Sequence, residues 1–85
     1  MKHKKIDGRK FGGKNLNRLN KVCETKGFMN KVWGTYTQWV QNGRFVLFGQ
    51  KGSVVFGKND DGIYFHYIVF NIEQTRVLSD IRYST

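Results

Sequence analysis

The chain has 85 residues, a formal net charge of +9 and thirteen aromatic side chains, which leaves room for one small domain with a core of large residues. No apolar run reaches the ~18 residues of a membrane-spanning helix, and the basic start MKHKKI leads into charged, glycine-rich sequence instead of the apolar stretch of a secretory signal. A lone cysteine (Cys23) and two widely spaced histidines (His3 and His66) offer neither an internal disulfide nor a structural zinc site, so a cytoplasmic setting in the host cell with no metal or cofactor is expected.

The charge is unevenly spread. Residues 1–31 carry ten Lys/Arg against Asp7 and Glu24, whereas residues 32–85 carry five against four acids. A front half this basic points to an anionic partner, and it excludes an acidic mimic of DNA. Without an amphipathic anchor helix the partner is nucleic acid, not membrane; the plainer alternative is a solvated, solubilising tail.

In chain order, residues 1–7 read as a flexible basic arm. GRKFGGKN (8–15) follows, with cations Arg9, Lys10 and Lys14 among glycines that let a ligand approach the backbone, though its spacing is neither a Walker nor a Rossmann loop. Asn15 is the expected N-cap of a helix closed by Gly27. Leu16, Leu19, Val22 and Cys23 share its apolar face, while Lys14, Arg18 and Lys21 fall on another as a basic stripe.

WGTYTQW (33–39) contains both tryptophans. Thr35 and Gln38 have the spacing of a capping box, which predicts a short helix from about residue 36 to 41, ended by Asn42-Gly43. Trp39 is expected in the core, and Trp33 and Tyr36 beside a nucleic-acid groove; for any single ring, core packing is the competing role.

From Arg44 the pattern changes to strands. RFVLF (44–48) and SVVFGK (53–58) are expected to pair through GQKG (49–52), and NDDG (59–62) is a second turn. IYFHYIVF (63–70) is the expected central strand, buried on both faces or carrying one functional aromatic face. NIEQTRVL (71–78) reads as a terminal helical turn and 79–85 as a tail. The fold class is α+β: one small domain with an antiparallel sheet of about three strands and one or two short helices.

Four stretches, in order, resemble the N-terminal, single-stranded-DNA-binding domain of the ArdC-type antirestriction proteins of plasmids. They are GRKFGGKN (8–15), GFMNKVWGTYTQW (27–39), NGRFVLFGQKGSVVF (42–56) and YIVFNIEQT (67–75), and the resemblance spans residues 8–78. It implies a single-stranded-DNA-binding protein of a phage or mobile element that counteracts host restriction. The family's leading helix and its metallopeptidase-like domain have no counterpart here, so the chain reads as a trimmed, stand-alone version. Where the family's turn typically carries Arg-Lys-Gly-Glu-Lys-Gly, this chain has LFGQKG (47–52), which replaces two cations with Leu47 and Phe48.

Single-strand binding requires cations along the phosphates and flat rings for the bases. The flat rings available are Trp33, Tyr36, Trp39, Phe48 and Tyr64, and the candidate set is Arg9, Lys10, Lys14, Arg18, Lys21 and Lys51 with Trp33, Tyr36 and Phe48. Catalysis is not expected. Glu73 and Asp80 have no histidine or nucleophile beside them, His66 reads as a sheet residue, and Cys23 sits on an apolar helix face. The second reading is a small phage-encoded inhibitor, anti-restriction or anti-CRISPR, that binds a host defence nuclease or its guide RNA. Oligomeric state is left open.

Overall fold

The computed structural model describes residues 3–78; the tail expected over 79–85, with Asp80, lies outside the described residues. The longest apolar run forms strand β5 (Tyr64–Asn71), paired on both sides within a four-stranded sheet. On one side lies β4 (Ser53–Lys58), joined to β5 as an antiparallel hairpin. The connecting turn is tied by the Asn59 side chain, which accepts from the Asp61 and Ile63 amides at 3.0 and 2.9 Å. On the other side lies β2 (Val32–Gly34), antiparallel to β5.

The fourth strand is β1 (Lys4–Lys5), which runs parallel to β2 at the sheet's far edge. The sheet therefore has four strands and is mixed, not about three and antiparallel. Residues 3–7, expected as a flexible arm, are built into the fold. The reason is His3, whose ring is fully buried between Trp33 and Asn20.

Helix α1 (Gly13–Lys26) begins two residues before the expected cap, and Asn15 lies in its first turn. Gly27 closes it with a left-handed φ of 74°, a conformation that a Cβ disfavours. The helix presses Leu19 and Cys23 onto Val55 and Val69 of the sheet, with Phe11 and Trp33 completing the core. Helix α2 (Tyr36–Gln41) has the predicted capping box: the Thr35 hydroxyl accepts from the Gln38 amide at 3.2 Å, and the Gln38 side chain accepts from the Thr35 amide at 2.9 Å. Trp39 on this helix is buried, and its indole donates to the Phe70 carbonyl at 2.9 Å.

RFVLF does not pair with SVVFGK. Strand β3 (Arg44–Val46) instead forms a separate two-stranded ribbon with β6 (Thr75–Val77). Between β5 and β6 the chain makes one 3-10 turn (Ile72–Gln74) where a longer helical ending was expected. This turn ties distant loops together. The Glu73 carboxylate accepts from the Met29 and Asn30 amides, both at 2.6 Å, and the Asn71 side chain donates to the Asn30 carbonyl at 2.8 Å. Directly after this turn the chain enters β6 and pairs with β3, and β4 pairs with β5 alone.

Candidate nucleic-acid interface

Helix α1 docks beside β4, the strand at the sheet's other edge. The seam between them contains two hollows that meet at Arg18. One is lined by Arg18, Lys21, Lys26 and Lys51 with Val54, and the other by Lys14, Arg18 and Lys58 with Phe56 and Tyr64. A third hollow lies on the opposite face of the sheet, among Phe65, Tyr67 and Val69, and is bordered by Lys5, Asp7 and Arg9; it shares only Gly57 and Lys58 with the second. The cations of the first two hollows thus follow one path along the seam. Among the described residues only Arg9 is ion-paired, at 3.8 Å from Asp7, so the rest are free to meet an outside anion.

The basic stripe of α1 is placed as its spacing requires, with Lys14, Arg18 and Lys21 together on the seam. Lys51 joins them from the far side because its loop is pinned from below. Buried Gln74 donates to the Lys51 carbonyl at 2.9 Å and to the Gln50 side chain at 3.1 Å, while its own carbonyl accepts from the Leu47 amide at 2.9 Å. Lys10, bridged to Lys4 through the backbone, lines none of the three hollows.

The rings divide differently from expectation. Trp33 is fully buried, its indole donating to His3 at 2.8 Å, so it has no free face on which a base could stack. Tyr36 is exposed on α2 but lies outside these hollows. Phe48 stands wholly in solvent on the turn 47–50, where Gly49 takes a φ of 81°, also outside the hollows. The rings on the seam are Phe56 and Tyr64. Arg18 lies 4.8 Å from the Phe56 ring centre, and Lys58 lies 5.3 Å from that of Tyr64. Tyr64 is among the rings the sequence offers; strand alternation, which puts 54, 56 and 58 on the face opposite Val55, is the signal that could have found Phe56.

The profile described as the N-terminal domain of anti-restriction factor ArdC matches residues 1–79. The chain belongs to the ArdC N-terminal domain family. Two crystal structures of the antirestriction ArdC protein from the R388 plasmid share its fold. The metal-free one has a TM-score of 0.79 at 30% identity and covers 92% of this chain and 33% of its own. The Mn(II)-bound one has a TM-score of 0.79 at 31% identity and covers 91% of this chain and 35% of its own. The chain thus spans about a third of the length of these ArdC proteins. Comparison with curated proteins gives no match. Among the described residues no group of three His, Cys, Asp or Glu side chains is placed to hold a metal ion, and no helix is long and apolar enough to cross a membrane.

Proposed function

We propose that this ArdC N-terminal domain is a non-enzymatic module that binds single-stranded nucleic acid along the α1–β4 seam and serves a mobile element against host restriction. The observation that carries the reading is Arg18, which joins two hollows whose other cations are Lys14, Lys21, Lys26, Lys51 and Lys58. Cations set along one path with no described acid paired to them are held together by the fold at a cost in self-repulsion, and a polyphosphate strand offsets that cost. The antirestriction role of the R388 protein supports the biological half of the reading.

The test is anisotropy of labelled single- and double-stranded oligonucleotides across a salt series. Six phosphate contacts on a single strand give a log–log salt slope of about −4, and Arg18→Gln with Lys21→Gln moves it to about −3. Preference for the single strand with that change in slope is the expected result. Binding that is equal for both forms, or unaltered by the double substitution, overturns it. The buried state of both tryptophans makes intrinsic tryptophan emission a poor reporter here.

One observation favours a second reading, inhibition of a host defence nuclease by direct contact. Phe48 is a fully exposed ring on a turn held firmly by Gln74, as a protein-binding anchor would be. Phe48→Ala that abolishes antirestriction in cells while leaving oligonucleotide affinity intact supports this version.

A further inference from the structure

We propose that the uncovered face of the sheet, centred on Phe56, Tyr64 and His66, is a stacking platform for the unpaired bases of the strand whose phosphates follow the seam. The inference rests on the nucleic-acid reading above and gives the bases a place that Trp33 cannot provide.

The face is defined by register. Val54 pairs with Ile68, Phe56 with His66 and Lys58 with Tyr64, so all six side chains project away from the core that Val55 and Val69 enter. No described element covers them: Val54 is 40% exposed, Phe56 42%, Ile68 50% and Tyr64 72%. A domain of this size needs its large apolar side chains inside, and a contiguous group of them in water marks a contact surface.

The cations identify the partner. Arg18 and Lys58 each stand over a ring of this face, so the platform is rimmed by charges where a stacked base would carry its phosphate. Phe56 and His66 meet edge to face with centroids 6.5 Å apart and planes at 65°, so the two rings are not stacked on one another. The exposed guanidinium plane of Arg18 is a stacking surface in its own right. Tyr64 and His66, two residues apart on one strand, repeat at about 6.8 Å and present two successive places for bases. Single-strand selectivity follows. The base faces of a duplex are already stacked on one another, so only an unpaired strand can offer them to the sheet, whereas the cations of the seam accept either form.

Phe56→Ala, Tyr64→Ala and Tyr64→Trp alter exposed positions, and far-UV circular dichroism and thermal melting verify that they fold. Each is titrated with a labelled thymidine 12-mer and with an abasic 12-mer of the same backbone. The expected result is that each alanine weakens the thymidine strand by about five- to a hundredfold and leaves the abasic strand unchanged. The new tryptophan at position 64 is quenched by thymidine and not by the abasic strand. Equal affinity of wild type for both strands, or indifference of the thymidine strand to both alanines, overturns the platform while the seam reading stands. Wild type that binds neither strand at low salt overturns both. A dimer that Tyr64→Ala dissolves without change in thymidine affinity assigns the face to a second copy and overturns the inference.

Discussion

Asn15 holds the peptide groups of Phe56 with both ends of its amide. Its Nδ2 donates to the Phe56 carbonyl at 2.7 Å, and its Oδ1 accepts from the Phe56 N–H at 2.9 Å. Forty-one residues separate the two, so this pair is what registers α1 against β4 and places Arg18 over Phe56. Asn15→Ala removes both bonds at about 1–2 kcal/mol, of which alanine's better helix propensity returns about 0.5 kcal/mol. The expected outcome is a melting temperature lower by roughly 4–8 °C, checked by calorimetry. An unchanged midpoint would mean that the helix is held by its apolar face alone.

His3 makes folding pH-dependent. The Trp33 indole donates to its Nδ1 at 2.8 Å, so Nε2 carries the proton and donates to the Asn20 side chain at 2.7 Å. A second proton on the ring would set two donors against each other. Burial pushes the His3 pKa below its usual 6.5; the bond to Asn20 opposes that shift and the charge on Lys31 adds to it. With the folded pKa depressed, the unfolded chain takes up the proton first. Stability is therefore complete above pH 6.5 and falls as the pH drops below it towards the folded value. Denaturant midpoints between pH 7.5 and 5 should decline in wild type and decline less in His3→Phe; parallel curves would remove His3 as the cause.

Gln74 should control the order of the loop that carries Phe48 and Lys51. Its side chain accepts from the Asn71 amide at 2.9 Å as well as donating to the Lys51 carbonyl, and it is 1% exposed. Gln74→Ala leaves both groups without a partner and opens a cavity, a loss of about 2–4 kcal/mol. Amide exchange over residues 47–52 should accelerate beyond what the global loss explains. Exchange that rises uniformly along the chain would make Gln74 an ordinary core residue.

Local chemistry carried much of the architecture into the sequence. The Thr35–Gln38 spacing placed α2, β-branched runs placed β4 and β5, and the apolar spacing of Leu19 and Cys23 set the buried side of α1. Contacts between distant segments were not legible. His3 looks like part of a basic tail until Trp33, thirty residues on, offers its indole. RFVLF followed by a glycine-rich turn looks like half of a hairpin until the distant β6 pairs with it instead. At the candidate site the basic stripe of α1 was readable because helical spacing is local. The place of Phe56 on the seam and the burial of Trp33 were not, because they depend on which face of the sheet the helix leaves bare.

The sheet's ends constrain how anything can reach it. At one end β1 is only two residues long, both lysines, and at the other the Asn15 amide occupies the middle of the β4 edge. Short, charged or capped borders discourage a foreign strand from extending the ladder. A partner is thereby turned from extending the ladder, and the chain can expose apolar rings to water without inviting its neighbours to zip up alongside it.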